Sequence, residues 1–382
     1  MKLALVTNTL PPEGRGGAEA YVAALADDLS DRHEVVVLTG AGGGLEVETI
    51  HVPGLAPLAR DADPARKALW HARDQWLPAT HRAVKRALAE LRPDVVHTHA
   101  VQGLSAAPFT AIRSARTPHV HTAHDLGLLC ARVTMTRGGE FCGGRCVSCR
   151  VQRVVRARAA SSRLDLLVSP SDHVRLRHVE AGVIPASRAI TIRQGAHAAQ
   201  GHARGHDLAT PTLGYIGTLS RVKGIHTLLD AFASAPETWR LVVAGSGELE
   251  PLVRERAAAD PRIDFRGHVD GEAKERFFAS VELLAIPSEW EENAPLVAVE
   301  AAMRGLPALV SDRGGLPETT EAEVFTARDP RALVASARRV FETPELLAER
   351  SRRLLERRAE FLWPRHVERV EHALAQVAAM AR

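Results

Sequence analysis

Short apolar runs alternate with longer segments of helical periodicity from one end of the chain to the other. The runs are mostly continuous in apolar residues, which is typical of strands buried on both faces of a parallel sheet. Segments such as 18–29, 79–91 and 224–233 have the spacing of helices. The pattern predicts two doubly wound α/β domains. The predicted strands are residues 3–6, 35–38, 95–97, 119–122, 166–168, 213–216, 241–244, 263–265, 283–286 and 308–310.

The chain is expected to divide near residues 198–211, where glycines and histidines interrupt the apolar periodicity. Such a stretch is typical of a linker, and 382 residues exceed the usual size of a single hydrophobic core. We therefore predict a Rossmann-like domain over residues 1–198 and a second over 205–352. A helical segment dense in charge follows over residues 353–382.

The segment 287–307 is the most informative part of the chain. It places Glu292 and Glu300 eight positions apart across the expected start of a short helix. Pro295 is expected at the first helical position, where its missing N–H costs nothing. Gly305 is expected to end the helix.

The start of this helix offers groups that suit a nucleotide sugar. The N–H groups of Leu296 and Val297 are expected to point out of a positive helix end, which favours phosphate. A carboxylate on either side can accept hydrogen bonds from hydroxyls. Asn293 and Ala294 belong to the same loop. The alternative is a solvated acidic loop ahead of a core helix.

These residues resemble the E-x7-E segment of the family-four retaining glycosyltransferases, which have the GT-B fold, and residues 311–318 resemble the next part of that signature. The resemblance implies an acceptor-side first domain, a nucleotide-sugar-binding second domain and a terminal helix that crosses back to the first. It implies a sugar transfer from a nucleoside diphosphate sugar, with UDP favoured, to a hydroxyl. It also implies that Glu292 holds the donor sugar's hydroxyls and Glu300 those of the ribose, without a catalytic metal.

A second motif lies in the loop 217–224, directly after a predicted strand. It resembles the family's loop in which an arginine and a lysine neutralise the leaving diphosphate. Lys223 matches that lysine, and Thr218 stands at the usual arginine position. Arg221 is close enough in sequence to supply the second charge, although an exposed loop cation is an equal alternative.

Four weaker donor-side candidates come from glycine turns and the resemblance. Gly17 opens the first helix, and the resemblance implies contact with the diphosphate or the acceptor's path. Gly245 resembles the family's glycine turn near the nucleotide, although a tight turn explains it equally well. Gly267 and His268 resemble the segment whose backbone contacts the base.

Several histidines follow predicted strands of the first domain. We predict that His97, His119 and His121 are core residues. The pair His124-Asp125 resembles the family's histidine near the sugar's reacting carbon, and we therefore predict a catalytic role for His124.

All four cysteines lie in one glycine-rich loop over residues 130–149, namely Cys130, Cys142, Cys146 and Cys149. Clustered thiols in a cytoplasmic protein favour a metal over disulfides. Four thiolates without an open position predict structural zinc. An iron–sulfur cluster, unligated thiols and two disulfides remain alternatives.

The overall charge and hydropathy limit the partners. A net charge of +3 does not indicate nucleic-acid binding. No window approaches the ~20 apolar residues that span a bilayer, and no signal-peptide run precedes the first strand. A cytoplasmic protein is predicted, with attachment to the inner membrane face left open. The arginines of residues 150–163 are expected to form a solvated face, with contact to an anionic membrane or a phosphorylated acceptor as the alternative.

The acceptor and two other classes of function stay open. Residues 41–45 and the helix over residues 70–76 are expected to contact an acceptor in carbohydrate or natural-product biosynthesis. A phosphorylase or epimerase would share this architecture. A non-catalytic partner subunit is the other alternative, and Thr218 is the feature that favours it. The resemblance implies same-face attack by the acceptor, and a covalent intermediate on Glu292 is the competing mechanism.

Overall fold

The computed structural model describes the chain apart from residues 15, 59–62, 132, 134, 138–139, 143–146, 198, 200, 202–203, 205–207 and 381–382. Contacts between Cα atoms divide the chain into two compact units. The first unit contains Met1–Met135, Cys142–Ile192 and Val367–Arg382, and the second contains Thr136–Phe141 and Arg193–His366.

Helices and strands alternate along the N-terminal half. The elements are β1 (Lys2–Thr9), α1 (Gly17–Ser30), β2 (Glu34–Ala41), β3 (Glu48–His51), α2 (Pro64–Arg73), α3 (Pro78–Leu91), β4 (Val95–Thr98), α4 (Ala107–Ala115), β5 (His119–Thr122), the hairpin strands β6 (Thr136–Arg137) and β7 (Glu140–Phe141), α5 (Val147–Gln152), a π-helical turn (Arg153–Ala157), α6 (Arg158–Ser161), β8 (Leu166–Ser169), α7 (Asp172–Glu180) and β9 (Ala189–Thr191).

The C-terminal half repeats the alternation. Its elements are β10 (Thr212–Ile216), a 3-10 turn (Arg221–Lys223), α8 (Ile225–Ala233), β11 (Arg240–Ala244), α9 (Glu250–Ala259), β12 (Ile263–Phe265), α10 (Gly271–Ala279), β13 (Leu283–Ile286), α11 (Leu296–Met303), β14 (Ala308–Ser311), β15 (Glu323–Phe325), α12 (Pro330–Phe341), α13 (Pro344–Arg357) and α14 (Trp363–Met380).

Each unit contains a parallel sheet. The first sheet has the order β3-β2-β1-β4-β5-β8-β9 and the second β12-β11-β10-β13-β14-β15. Chain order reverses between β1 and β4 in the first and between β10 and β13 in the second, which is the doubly wound arrangement that the sequence predicted. In such sheets the crevice for a ligand lies outside the carboxyl ends of the two strands at the reversal.

All ten predicted strands are present in the two sheets; five are one residue longer than predicted, β1 and β2 are each four residues longer, and three have the predicted bounds. The prediction missed three edge strands. β3 and β9 are the two edges of the first sheet, and β15 is one edge of the second. These strands are short and mostly half-buried or exposed, with polar residues such as Glu48 and Glu323 at their starts. A strand without a continuous apolar run carries no signal of a buried parallel strand.

The helix α11 ends as predicted but begins one residue late. Gly305 has a φ of 66°, its N–H donates to Ala302 O, and the Leu306 N–H donates to Ala301 O. This is the Schellman arrangement, in which a left-handed residue after the helix closes its last turn. Pro295 was predicted at the first helical position and instead precedes the helix with an extended ψ of 126°. The first helical residue is therefore Leu296.

From Val367 onwards, the terminal helix α14 belongs to the first unit. There Glu371 accepts hydrogen bonds from the Arg32 guanidinium at 2.8 Å and lies 2.7 Å from His33 Nε2. Across the part of the chain that the structure describes, none of the helices combines the length and apolarity needed to cross a bilayer.

Candidate active site

The reversal point of the second sheet brings together two residues that lie 69 positions apart in sequence. Lys223 follows β10, and Glu292 follows β13. Their side chains form an ion pair with an Nζ to Oε1 distance of 2.6 Å. The loops are also joined by a backbone hydrogen bond of 2.8 Å from Glu289 N–H to Val222 O. The predicted lysine and carboxylate therefore form one cluster at the edge where a ligand crevice is expected.

Glu292 is held by several donors. Its Oε1 accepts hydrogen bonds from Ser288 Oγ at 2.6 Å and Trp290 Nε1 at 2.7 Å, in addition to Lys223. The Lys223 ammonium also lies 5.0 Å from the centroid of the Trp290 ring. Glu292 is only 4% exposed. A buried carboxylate with this many donors is fixed in position, as a group that orients a ligand must be.

Three glycine turns stack at the carboxyl ends of β10, β11 and β12. Gly217 N–H donates to Ala244 O, and Gly245 N–H donates to Gly267 O. Gly245 has a φ of 138°, and a Cβ placed there would lie 1.8 Å from Gly217 O. A side chain at Gly224 would likewise meet Pro287 O at 1.8 Å. The glycines permit the close backbone contacts that bring these loops together.

The neighbours of Lys223 occupy different environments. Thr218 is exposed, and its carbonyl accepts a 2.8 Å hydrogen bond from Tyr215 Oη. Burial raises the pKa of Tyr215, so this hydroxyl stays protonated. Arg221 is exposed, with its N–H 3.3 Å from Glu248 Oε1. The Lys223 ammonium pairs with Glu292 rather than with either of these residues, and the charge-supplying role of Arg221 stays a prediction.

The second predicted carboxylate has a lysine partner that the sequence analysis missed. Glu300 on α11 pairs with Lys274 on α10 at 2.6 Å. Lys274 is one of only five lysines in the chain, and this scarcity could have singled it out as a candidate for a specific contact. The N–H groups of Leu296 and Val297 lie in the first turn of α11, where helices leave N–H groups without intrahelical partners.

The remaining predicted donor contacts lie in accessible loops of the second unit. Asn293, Ala294 and Pro295 are half-buried ahead of α11. Gly267 has a φ of 65° with open space around its Cβ position, and His268 beside it is exposed.

In the first unit, His124 lies two residues beyond the end of β5 among aromatic side chains. Its Nε2 is 3.1 Å from His99 Nδ1. The Tyr21 ring of α1 contacts it edge-on with centroids 4.7 Å apart. Gly17, the first residue of the same helix, is exposed and has nothing within 4 Å of its Cβ position. Sequence reasoning missed Tyr21, although it lies one helical turn after Gly17.

The predicted core histidines are buried, which confirms that prediction. Thr98 Oγ1 lies 2.8 Å from both His119 Nε2 and His121 Nδ1, and His97 Nε2 lies 2.7 Å from Thr122 Oγ1. Burial lowers the pKa of His119 to about 3 and of His178 to about 4. Burial, followed by the neighbouring histidines, also holds the pKa of His121 and His99 well below the ordinary value.

These buried histidines predict a loss of stability in mild acid. Below about pH 6.5 these histidines bind protons in the unfolded chain but stay neutral in the folded protein. Each of them therefore lowers the free energy of unfolding as the pH falls from about 6.5 to the pKa of that histidine in the folded state. His178→Gln is expected to flatten the slope of unfolding free energy against pH between 6.5 and 4 by roughly 1 kcal/mol per pH unit. Urea titrations at several pH values measure that slope. An unchanged slope contradicts a neutral buried His178.

The structure corrects the prediction of a solvated arginine face. Arg158 is exposed, but Arg156 is buried at 1% exposure. Its Nη2 donates to Asp74 O at 2.7 Å and forms an ion pair with the Asp74 carboxylate. Burial raises the pKa of Asp74 even beside this guanidinium. A π-helical turn carries Arg156, and such a local change of helical period is not visible in the sequence.

Arg156→Leu is expected to destabilise the first unit by about 3–5 kcal/mol because it leaves the Asp74 carboxylate buried without its partner. Chemical denaturation measures the change. Arg158→Leu, a matched substitution at an exposed site one residue beyond the turn, should stay within about 0.5 kcal/mol. Adding Asp74→Asn to Arg156→Leu should recover stability, and a further additive loss would contradict the buried pair.

The predicted metal ligands are only partly described. Cys146 lies outside the described residues. Cys130 and Cys149 are buried in the same hydrophobic cluster, and Cys142 Sγ lies 3.1 Å from Met135 O. No disulfide joins these three. Among the described side chains, no group of three or more histidine, cysteine or acidic residues is placed to hold a metal.

Comparison with known proteins identifies the family. The sequence model of "Glycosyltransferase Family 4" matches residues 15–200, and that of "Glycosyl transferases group 1" matches residues 210–343. The chain belongs to the group 1 glycosyltransferases. The predicted family is thereby confirmed. The second matched region contains the whole second sheet, and the first contains every strand of the first sheet except β1.

Individual relatives align along much of this glycosyltransferase. Glycogen synthase of Mycobacterium tuberculosis is 28% identical, and the alignment covers 100% of this chain and 95% of that enzyme. Phosphatidyl-myo-inositol mannosyltransferase of the same species is 25% identical, with 78% of this chain and 74% of that enzyme covered.

Solved structures confirm the GT-B fold. Anabaena HepE in complex with UDP matches the glycosyltransferase with a TM-score of 0.73 at 18% identity, covering 98% of this chain and 100% of that one. Sucrose-phosphate synthase of Thermosynechococcus elongatus matches with a TM-score of 0.71 at 20% identity, covering 99% of each chain.

Proposed function

We propose that this glycosyltransferase transfers a hexose from a UDP-sugar to a hydroxyl acceptor with retention of configuration. The observation that carries the proposal is the Lys223–Glu292 pair at the reversal point of the second sheet. The resemblance of residues 292–300 to the E-x7-E segment supports retention. The UDP complex of Anabaena HepE, a protein of the same fold, supports uridine as the base.

The second unit carries the donor in this proposal. Glu292 accepts hydrogen bonds from the hydroxyls of the sugar, and Glu300 from those of the ribose. Asn293, Ala294 and Pro295 form the loop between the two. The glycine turns at Gly245 and Gly267, with His268, give the nucleotide close access to the backbone.

Charge on the departing diphosphate is offset by Lys223 and by the N–H groups of Leu296 and Val297. Lys223 is half-buried beside Glu292, so a ligand phosphate would meet an ammonium whose position is already fixed. The backbone at Thr218 and the guanidinium of Arg221 are the remaining groups proposed to contact the diphosphate. A leaving phosphate that takes the acceptor's proton requires no additional protein base.

We assign the acceptor-side chemistry of the first unit to His124. Its ring is positioned by His99 and Tyr21, and it can stabilise positive charge on a reacting sugar carbon. Gly17 at the open start of α1 is proposed to let a ligand approach the backbone.

Purified protein should be tested for binding and slow hydrolysis of UDP-, GDP- and dTDP-sugars. We expect the protein to select one UDP-sugar, and we expect Glu292→Ala to lose both the binding and the hydrolysis of that donor. Nuclear magnetic resonance of the first-formed product reports its anomeric configuration, and inversion contradicts the retaining mechanism. The absence of donor binding by folded wild type contradicts the transferase site and favours a partner subunit.

A structural zinc at Cys130, Cys142, Cys146 and Cys149 is a separate proposal. It is supported by the clustering of all four cysteines in the sequence and by the burial of Cys130 and Cys149 in one core. Elemental analysis is expected to give one zinc per chain, lost in Cys130→Ser with a lower melting temperature. Visible absorbance with bound iron would indicate a cluster instead, and metal-free folded protein contradicts both.

A further inference from the structure

The helix α5 and the π-helical turn that follows it have a polar side that faces the protein. Cys149, Gln152 and Arg156 are each 1% exposed. Gln152 Oε1 accepts a 3.1 Å hydrogen bond from Gln75 Nε2, and Arg156 forms the ion pair with Asp74. A surface helix normally buries apolar residues and turns its charged residues to water. Here polar contacts hold the inner side instead.

The opposite side of the same segment exposes valines to water. Val147 is 75% exposed, Val151 45% and Val154 66%. Arg150, which lies between them in sequence, is also exposed. These four residues have the spacing i, i+3, i+4 and i+7, which places them along one side of a helix, and we call them the outer face of α5. A row of exposed aliphatic side chains is typical of a surface that binds a partner.

The helix α2 extends this surface. None of its ten residues is buried, and Leu69 is 62% exposed. Lys67 and Ala72 line one groove together with Val147 and Val151, so the two helices are neighbours. Helices in proteins gain most of their stability by packing an apolar side against other residues. Since α2 buries no residue, its aliphatic side chains are accessible to a partner.

The charge of this surface indicates which partner it fits. Residues 64–73 contain two arginines and one lysine, residues 147–163 contain five arginines, and neither segment contains an acidic residue. Arg66, Arg73 and Arg150 are exposed. Guanidinium groups beside aliphatic side chains suit an anionic bilayer, because the arginines reach lipid phosphates while the aliphatic groups enter the acyl boundary. A symmetric contact between two copies of the chain would instead bring these like charges together.

We propose that α2 and the outer face of α5 form a docking surface for a membrane that contains anionic lipids. Leu69 and the three valines enter the boundary between headgroups and acyl chains, and the exposed arginines contact the phosphates. A merely solvated basic helix would leave the exposed valines without a role. The proposal concerns where the protein binds and does not depend on the proposed transfer reaction.

Sedimentation of the full chain with lipid vesicles tests this surface. We expect binding to vesicles of phosphatidylcholine mixed with an equal amount of phosphatidylglycerol. Binding to phosphatidylcholine alone should be weaker by about tenfold or more, and added salt should weaken binding to the mixed vesicles because it screens the arginines. Equal binding to the two kinds of vesicle overturns the proposal, as does the absence of binding to either.

Substitutions separate the aliphatic contribution from the charge. Val151→Ser should weaken binding to the mixed vesicles roughly tenfold, since it removes two methyl groups from the bilayer boundary. Arg150→Gln should weaken it roughly fivefold, the usual contribution of one basic residue at an anionic surface. Leu176→Ser on α7 is the matched control, because Leu176 is 44% exposed and should leave binding unchanged. Equal losses in Val151→Ser and Leu176→Ser overturn the docking surface.

Size-exclusion chromatography tests the alternative occupant, a second copy of the chain. Wild type and Val151→Ser are expected to elute at the same volume over a range of protein concentrations. A concentration-dependent dimer that Val151→Ser abolishes would assign this surface to self-association and overturn the membrane proposal. All three substitutions change exposed side chains, so the melting temperatures should stay close to that of wild type.

Discussion

Lys223→Met is expected to lower kcat by about 10²–10³-fold, the usual effect of losing one preorganised group that stabilises developing charge. The ammonium is held 2.6 Å from Glu292 and 5.0 Å from the centre of the Trp290 ring. In the proposed donor site it would therefore face the diphosphate from a fixed position as charge builds on the leaving oxygen. Steady-state kinetics with the donor identified by the binding panel measure the effect.

Lys274→Met provides the matched control for this substitution. Lys274 forms an ion pair of the same 2.6 Å length with Glu300, and its side-chain exposure of 29% is almost that of Lys223 at 28%. Because Glu300 is assigned to the ribose, which does not react, the control should raise the donor KM and leave kcat nearly unchanged. Equal kcat losses in the two variants would contradict a specific role of Lys223 at the leaving group. Circular dichroism checks that both variants fold.

The order of the buried elements could be predicted from the sequence because parallel strands covered on both faces carry continuous apolar runs. The strand β1 shows this well, since seven of its eight residues are buried. The edge strands β3 and β15 have no such run and were missed. Their place in the sheet is fixed by pairing with a neighbour, and that neighbour is not visible in local sequence.

The candidate site could be predicted only as separate motifs. Lys223 and Glu292 were each identified, but their contact depends on β10 and β13 being neighbours in the sheet. The pairing of Glu300 with Lys274 depends on two helices and was not predicted. The prediction that Arg156 is solvated was wrong, because local sequence suggested exposure where a distant contact causes burial. Its neighbours in sequence suggest a basic surface. The structure instead places Arg156 in a π-helical turn, where it is buried against Asp74 at the end of α2.

Gly245→Ala is expected to damage the second unit, to which we assign the donor, more than most single substitutions of its size. A φ of 138° disfavours any residue with a Cβ, at a cost of about 1–3 kcal/mol. The added methyl would also lie 1.8 Å from Gly217 O, so the β10 and β11 turns must separate. We expect a loss of unfolding free energy of about 3 kcal/mol or more in this unit and loss of measurable donor binding. Thermal denaturation and donor titration measure the two effects.

Gly267→Ala separates backbone strain from the disruption of the turns. Gly267 also has a positive φ, 65°, but nothing lies within 4 Å of its Cβ position. Its stability cost should therefore be limited to roughly 1–2 kcal/mol of left-handed strain. If the nucleotide packs against this turn, the methyl group will weaken donor binding although the fold is nearly intact. Unchanged donor affinity in Gly267→Ala would remove this turn from the donor site, whereas equal destabilisation by both substitutions would contradict the close contact between Gly245 and Gly217.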